Sequence, residues 1–377
     1  MNISKSKPFD RGGTRFVLPL LCLWIFANTN VKAQNFWQQT NGPYGGHVRS
    51  LAINANGHIF AGTLVSGVFR STDNGNSWTP INIGLADKNA YALVINSSGE
   101  IFAGTALGGV FRSANNGGSW TEANDGLTNK NVVALAINSS GHIFAGSFLF
   151  GGVFRSTNNG GSWMEVNSGL TNKSVRALAI NSNGHIFAGT TDGGVFRSTD
   201  NGGSWTPANN GLTNRDVYAL TSNSNGEVFV GVTNGEVFRS ADNGDRWTPV
   251  KISSTTSTVR ALTINASGQI FAGTFGSGAF SSTNNGASWS PTAAGLTDTD
   301  IETFAINSNS HVFAGTIGGG VFRSVDNGGS WTESNTGLML MSALLPPNQA
   351  AKFLRERMAG SFAPPITAAI GRASISV

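Results

Sequence analysis

Seven tryptophans recur at an almost constant interval along this chain, and their periodicity constrains the fold more than any other feature. Successive members are 42, 43, 42, 42, 42 and 42 residues apart. Each closes a short polar segment such as STDNGNSW at residues 71–78. A fixed period of this length is typical of proteins built from consecutive copies of one structural unit. The seven positions are Trp78, Trp120, Trp163, Trp205, Trp247, Trp289 and Trp331.

Each period has room for four short strands. In the third copy the candidate strands are VVALAIN at 132–138, HIFAGS at 142–147, GVFRST at 152–157 and WMEV at 163–166, with Gly- and Asn-rich turns between them. The composition agrees, because the chain has 50 Gly in 377 residues and only 12% charged residues. We therefore predict an all-β fold, a seven-bladed β-propeller of four-stranded antiparallel blades.

The repeated segment Ser-x-Asp-x-Gly-x-x-Trp resembles the Asp box of BNR-repeat β-propellers, a family with sialidase-like, sortilin-like and photosystem-assembly-factor-like members. The resemblance extends from Trp37 to Leu338. It implies the propeller fold, with the box between strands three and four of each blade. Because these members have unrelated activities, the resemblance does not select one function.

The Asp-box residues have a structural explanation. A short polar side chain can accept hydrogen bonds from the backbone of its own turn, the glycine two residues later permits positive φ, and the tryptophan can be buried between blades. Three of the seven copies have Asn, which a turn tolerates but acid–base catalysis does not. The predicted structural residues pair with the tryptophans above and are Asp73, Asn115, Asn158, Asp200, Asp242, Asn284 and Asp326.

The N-terminal 33 residues have the pattern of a secretory signal peptide. Basic residues precede an apolar run at 16–26, and Val-Lys-Ala follows at 31–33. The only cysteine, Cys22, lies inside that run, so the mature chain from Gln34 would contain no disulfide. No later apolar run is long enough to span a membrane. We expect a secreted, periplasmic or extracellular protein, monomeric, with its propeller at residues 34–338.

The net charge of +4 does not indicate nucleic-acid binding. Five of the 24 Lys and Arg and one of the 20 acidic residues fall in residues 1–33, and four and one fall after residue 349. Residues 34–349 therefore hold 15 basic and 18 acidic residues. A net negative body argues against a nucleic-acid partner.

Two further sets of repeated residues are predicted to be structural. Histidines begin the second strand in four different blades, so they cannot converge on one metal ion, and we expect them to be surface turn residues. The arginines of the VFRS segments should likewise diverge around the ring. The histidines are His58, His142, His185 and His311, and the arginines are Arg70, Arg112, Arg155, Arg197, Arg239 and Arg323. We predict no metal site and no cofactor.

A binding surface is expected where the copies differ, because repeat scaffolds present variable positions on one face. The second residue of strand one and the turn between strands two and three both vary. In an antiparallel blade they share the face opposite the Asp boxes. The candidate ligand-binding residues are Arg49, Tyr91, Arg176, Tyr218, Arg260 and Glu302 from the strands, and Phe148, Phe150 and Phe275, expected to be exposed, from the turns.

Two functions remain open. The first is a non-catalytic module that binds a protein or glycan partner on this variable face. The alternative is a sialidase-type glycoside hydrolase, since the family resemblance implies three arginines for a carboxylate, with a tyrosine nucleophile and a glutamate. Arg49, Arg176 and Arg260 would then be the clamps, Tyr91 or Tyr218 the nucleophile, and Glu302 its partner. The Arg-Ile-Pro motif of sialidases is absent and the loops are short, so we favour the binding module and assign no catalytic residue.

The two ends of the repeat region raise separate questions. NFWQQ at 35–39 resembles a fourth strand without the other three, and it is either spare or competes with the strand at Trp331. After Leu338 the pattern stops. With codons read one nucleotide earlier, residues 351–369 permit GQIFAGTDGGVFRSTDNGG, and Gly371 permits a following Trp. We therefore hypothesise that residues 339–377 are the frameshifted remnant of an eighth repeat, which sequencing of the gene tests.

Overall fold

The computed structural model describes residues 46–338, and these form seven four-stranded antiparallel sheets arranged as a β-propeller. This confirms the predicted fold class and blade number. The described residues contain no helix. The predicted signal peptide, the Trp37 segment and the tail at 339–377 lie outside the described residues.

Every blade is a simple meander, with its four strands in chain order from the inside of the ring to the outside. The first strand of each blade contacts the first strands of both neighbouring blades, which places these strands around the central axis. These inner strands are β1 (Val48–Ile53), β5 (Ala90–Ile95), β9 (Val132–Ile137), β13 (Val175–Ile180), β17 (Ala219–Ser222), β21 (Val259–Ile264) and β25 (Ile301–Ile306).

The second and third strands form the middle of each blade. The second strands are β2 (Ile59–Thr63), β6 (Ile101–Thr105), β10 (Ile143–Ser147), β14 (Ile186–Thr190), β18 (Val228–Gly231), β22 (Ile270–Thr274) and β26 (Val312–Thr316). The third strands are β3 (Gly67–Ser71), β7 (Val110–Ser113), β11 (Gly152–Ser156), β15 (Gly194–Ser198), β19 (Val237–Ser240), β23 (Ala279–Ser282) and β27 (Val321–Ser324).

The outer strand of each blade is short and exposed, with two residues following the repeated tryptophan. These strands are β4 (Thr79–Pro80), β8 (Thr121–Glu122), β12 (Met164–Glu165), β16 (Thr206–Pro207), β20 (Thr248–Pro249), β24 (Ser290–Pro291) and β28 (Thr332–Glu333). Shortness and proline both suit an outer edge, because they limit pairing with other chains.

Strand register separates two faces of the ring. In blade 1, Val48 pairs with Thr63 at one end and Ile53 with Ile59 at the other. The starts of the first strands, the turns between strands two and three (2–3 turns) and the loops leading to the next blade (4–1 loops) therefore share one face, which we call the front face. The turns between strands one and two and between strands three and four (3–4 turns) lie on the back face.

The core is divided among the spaces between adjacent blades. Side chains alternate along a strand, so the second strand uses its two faces for two different neighbours. In β2, Ile59 and Ala61 pack with blade 7, whereas Phe60 packs with blade 2. Because both faces are covered, every residue of β2 is buried. The glycine in this strand permits close approach: a Cβ at Gly104 of β6 would lie 2.7 Å from Cγ1 of Val132 in the next blade.

The repeated tryptophans join each blade to the one before it. Each indole Nε1 donates a hydrogen bond of 2.6–2.8 Å to a backbone carbonyl of the preceding blade. Six of the rings are buried, and Trp289 is partly buried. The acceptors, from Trp78 to Trp331, are Ser334, Ile81, Ala123, Val166, Ala208, Val250 and Thr292.

The same contacts close the ring between blades 7 and 1. Trp78 donates from its indole to the Ser334 carbonyl at 2.7 Å and from its backbone to the Thr336 carbonyl at 2.8 Å. Arg323 Nη1 donates to the Asn74 carbonyl at 2.8 Å. Leu338 packs into the same core as Trp78. Strand β28 supplies the fourth strand of blade 7, so seven complete blades close the ring.

Candidate functional site

Six of the predicted ligand-binding residues lie at the front-face opening of the central channel. Five of them occupy the second position of an inner strand, and Tyr218 immediately precedes β17; each of the six is partly buried. The equivalent residue of the remaining blade, blade 3, is Val133. We call this set the mouth cluster: Arg49, Tyr91, Arg176, Tyr218, Arg260 and Glu302.

Glu302 holds two of the arginines. Its Oε2 accepts a hydrogen bond of 2.9 Å from Arg49 Nη1, and its Oε1 accepts one from Arg260 Nη1. The Glu302 side chain is only 9% exposed. Burial by itself would raise the pKa of Glu302, but the positive charges of Arg49 and Arg260 outweigh that effect and hold the pKa below its usual range. The carboxylate is therefore ionised and bridges blades 1, 6 and 7.

Aromatic rings separate the guanidinium groups. Arg49 lies over Tyr91 with 4.4 Å between Cζ and the ring centroid, and Arg176 lies over Tyr218 at 4.5 Å. Arg260 also faces Tyr218, at 5.8 Å. Cation–π contacts of this kind attract each guanidinium group to a ring face and so orient the arginines. Contacts thus run without interruption from Tyr91 through Arg49, Glu302, Arg260 and Tyr218 to Arg176.

Two of the predicted phenylalanines extend this network from the 2–3 turns. Phe148 lies 5.3 Å from Arg176 and Phe275 lies 4.4 Å from Arg260, measured from Cζ to ring centroid. Both rings are partly buried, so the expectation that they are exposed is wrong for these two. Phe150 is 79% exposed, as expected. The arginines account for the difference, because they cover one face of each ring.

Sequence reasoning missed two members of the network, His47 and Asp216. Each lies two residues before a mouth-cluster residue, His47 before Arg49 and Asp216 before Tyr218. Asp216 accepts a hydrogen bond of 3.1 Å from Arg176 Nη1. His47 is buried, with its Nε2 3.4 Å from Arg49 Nη1 and 4.0 Å from Glu302 Oε2. The residue two positions before the mouth-cluster residue varies among the seven copies, and that variation could have identified both side chains from the sequence.

His47 is neutral in the folded protein. Burial, followed by the charge of Arg49, lowers its pKa from 6.5 to about 3, and Glu302 opposes this only in part. The charged groups of the network are therefore three arginines, Glu302 and Asp216. Each arginine is paired with a carboxylate of the chain itself.

The predicted structural residues lie in the 3–4 turns of the back face. In blade 1, Asp73 Oδ1 accepts the Ser77 backbone N–H at 2.9 Å, and Ser71 Oγ accepts the Gly75 N–H at 2.8 Å. Gly75 has φ +85°, a conformation in which a side chain is strained. Asn115, Asn158 and Asn284 accept the equivalent bond at 2.9 Å. Asp200, Asp242 and Asp326 do so at 2.8–2.9 Å.

The repeated histidines of the back face are more buried than predicted. Each of these histidines and arginines is partly buried. Arg70 Nη1 donates to the Asn116 carbonyl of the next blade at 3.0 Å, and Arg155, Arg197 and Arg323 make equivalent bonds. Arg112 and Arg239 instead pair with glutamates of their own blades. Four of the six arginines therefore join neighbouring blades.

Among residues 46–338, no group of three or more His, Cys, Asp or Glu side chains is placed to hold a metal ion. In the same part of the chain, no helix is long and apolar enough to cross a membrane.

Comparison with known proteins identifies the architecture. The family model described as the DUF6242 beta propeller domain matches residues 148–261. No curated protein sequence matches the chain. Solved structures similar to this chain share 14–19% sequence identity with it, so they support the fold alone.

Three of these structures illustrate the range. The GH74 xyloglucanase from Xanthomonas campestris has a TM-score of 0.66 and 18% identity, with 78% of this chain and 55% of that chain covered. The extracellular domain of a proposed one-component system from B. thetaiotaomicron has a TM-score of 0.62 and 17% identity, with 76% and 40% covered. YCF48 bound to D1 peptide has a TM-score of 0.61 and 14% identity, with 75% and 94% covered. This chain thus spans about half or less of the first two proteins.

Proposed function

We propose that this protein is a secreted, non-catalytic β-propeller that recognises a protein or glycan partner on its front face. One observation carries the proposal: the mouth cluster joins side chains from non-equivalent copies into one ordered network, whereas the back face repeats one turn structure in all blades. Groups held in place before binding lose less entropy on association, which favours recognition.

Two observations support the proposed export of the protein from the cytoplasm. Residues 1–33 have the pattern of a signal peptide, which implies export. Several similar structures are extracellular domains. The BNR-type Asp box is consistent with such a module, since the Asp and Asn side chains of the 3–4 turns are used within the turns.

Pairing within the mouth cluster argues against the sialidase-type alternative. Three arginine clamps must be free to receive a substrate carboxylate, but Glu302 already bridges Arg49 and Arg260, and Asp216 pairs with Arg176. A tyrosine nucleophile requires a nearby base. Among residues 46–338, no hydrogen bond joins Tyr91 or Tyr218 to Glu302. A similar fold in xyloglucanase does not alter this argument, because fold does not determine activity.

A combined binding and turnover screen tests the proposal. The purified chain would be applied to a glycan array and to a fluorogenic sialoside, beside Arg176→Ala and a matched back-face variant, Arg246→Ala. We expect binding without turnover that is lost in Arg176→Ala and kept in Arg246→Ala. Sialoside turnover that disappears in Arg176→Ala would instead establish the glycoside hydrolase. Ligand binding that is equal in both variants would exclude the mouth cluster as the site.

A further inference from the structure

The outer part of the front face is not uniform around the ring. In blades 1 to 3 the tips of the 2–3 turns carry large apolar side chains in contact with solvent: Val65 is 45% exposed, Leu107 78% and Phe150 79%. The corresponding tips of blades 4 to 7 are Asp192, Asn234, Gly276 and Gly318. Exposed apolar side chains therefore occupy one arc of the rim.

Basic residues follow the same arc. Lys88 and Lys130 are exposed at equivalent positions of the 4–1 loops that follow blades 1 and 2, and each backbone carbonyl accepts a hydrogen bond from the 2–3 turn of the preceding blade. Gly67 donates to Lys88 at 2.8 Å, for example. Within residues 46–338 neither of these two cations is in an ion pair, whereas Lys173 at the same position of the next loop pairs with Glu165 at 3.2 Å. The following positions are Arg215, next to blade 4 with its Asp192 tip, and then Ser257 and Thr299.

The backbone is strained at two of the three apolar tips. Val65 has φ 70°, and Phe150 has φ 70° after Leu149 at 55°. Positive φ is costly for bulky residues, above all for a β-branched one. Glycine or asparagine would remove this cost and the exposure of apolar surface together. Strain combined with exposure points to a contact with another molecule.

We propose that this apolar–basic arc (Val65, Leu107, Phe150, Lys88 and Lys130) binds a polypeptide segment in which acidic and large apolar side chains alternate. The inference rests on the proposed recognition function and assigns its partner class. Along blades 1 to 3 the apolar tips alternate with the cations of the 4–1 loops. A bound segment that alternates apolar and acidic side chains would therefore place each apolar side chain on a tip and each carboxylate beside a cation.

The arc fits a polypeptide better than a glycan or a membrane. Sugars pack on flat aromatic rings, whereas Val65, Leu107 and Leu149 are aliphatic and only Phe150 is aromatic. Asp192 is also exposed at a 2–3 turn tip of this face, and an anionic membrane surface would be repelled by it. A peptide can place its acidic side chains beside the lysines and away from the aspartate.

A displayed random peptide library tests the inference with matched variants. The full chain would be used for selection, and the enriched peptides titrated against two front-face variants, Phe150→Ser and the double variant Lys88→Glu/Lys130→Glu. The controls, Val325→Ser and Arg246→Glu, change exposed residues of the back-face 3–4 turns. Circular dichroism establishes that all variants are folded.

We expect enrichment of acidic and large apolar residues, and about tenfold weaker binding by each front-face variant but not by the controls. Charge reversal should also reduce the dependence of binding on salt. Enriched peptides without acidic residues, equal effects of front- and back-face variants, or selective binding of anionic vesicles would overturn the inference. Glycan binding that is lost in Arg176→Ala and unchanged in Phe150→Ser would overturn it while retaining the recognition function.

Discussion

Arginines at two positions of the repeat differ in what their guanidinium groups contact. Those at the second position of inner strands, such as Arg49, meet carboxylates and aromatic rings from other copies. Four of the six near the end of third strands, such as Arg70, donate to a backbone carbonyl of the next blade. The first contacts depend on side chains that vary between copies, and the second use a carbonyl present in every copy. Substitutions in individual copies can therefore alter the mouth cluster while the contacts between blades are kept.

Glu302→Gln should destabilise the protein by about 2–3 kcal/mol, because Arg49 and Arg260 would lose the carboxylate that neutralises them in a partly buried site. The pKa of Glu302 is lowered, so its contribution is present above its ordinary pKa of 4.5 and is lost as the pH falls. Urea unfolding at pH 7 and at pH 4 measures both effects. Glu122→Gln, at an exposed position of β8, is the control. Equal stability of the two variants would contradict the role given to Glu302.

Asp200→Asn should make unfolding less sensitive to acid. Hydrogen bonds from Ser204, first that of its hydroxyl, lower the pKa of Asp200 from 3.8 to about 2. The ionised form therefore stabilises the turn above pH 3.8, and this contribution disappears between pH 3.8 and about 2. The free-energy difference between wild type and variant should shrink across that interval. Asn158→Asp, the reverse change in another blade, should introduce the same dependence, and a flat profile in both would refute the argument.

At the scale of the blade, one of the seven seams lacks contacts that the others share. In six seams the tryptophan backbone N–H donates to a carbonyl of the preceding 4–1 loop. At the seam between blades 5 and 6, no such bond is made by Trp289 among residues 46–338. The six donors, Trp78, Trp120, Trp163, Trp205, Trp247 and Trp331, pair with Thr336, Ile83, Asp125, Ser168, Asn210 and Ala294.

A sequence difference explains the missing bond. At blade 4 the loop contains Gly211 at φ +83°, where a Cβ would lie 2.3 Å from the Trp247 carbonyl oxygen. Ser253 stands at the equivalent position of the next loop, so that loop cannot follow the same path. Arg239 also pairs with Glu227 of its own blade rather than with blade 6. Trp289 is correspondingly less buried than the other six repeat tryptophans.

We expect the seam between blades 5 and 6 to open first. In hydrogen exchange, the amides of β21 and β24 and of Trp289 should exchange before their counterparts in other blades. Replacing residues 251–254 by the Asn-Asn-Gly-Leu of residues 209–212 should slow that exchange and stabilise the protein by about 1 kcal/mol for the restored hydrogen bond. The opposite replacement in blade 4 is the control. Uniform exchange in all seven seams would contradict the prediction.

At the scale of the whole molecule, closure at seven blades removes the need for another strand. The outermost strand of blade 7 is β28, and Trp78 and Arg323 fasten blade 7 to blade 1. Deleting residues 35–39 should therefore leave the melting temperature unchanged. Trp331→Ala should lower the free energy of unfolding by about 3–5 kcal/mol, because it removes a large buried ring. Thermal melts of both variants test this, and a lower melting temperature in the deletion would mean that its segment contributes to the ring.

Local chemistry accounts for what the sequence determined by itself. Strand positions, the four strands of each blade and the turn residues follow from alternation, glycine placement and hydrogen bonds over a few residues, such as Ser77 N–H to Asp73. The 42-residue period repeated this information seven times. The front face was also predictable, because register in an antiparallel blade sets which turns share an end.

Tertiary structure alone decided the closure of the ring and the pairing inside the mouth cluster. Arg49 and Glu302 are 253 residues apart, and only a closed ring of seven blades brings them to 2.9 Å. The same closure covers Phe148 and Phe275 with arginines and places neutral His47 beside Glu302. Such contacts depend on the angle between blades, summed around the ring. That angle is set by the packing of all seven cores, so no single copy of the repeat determines it.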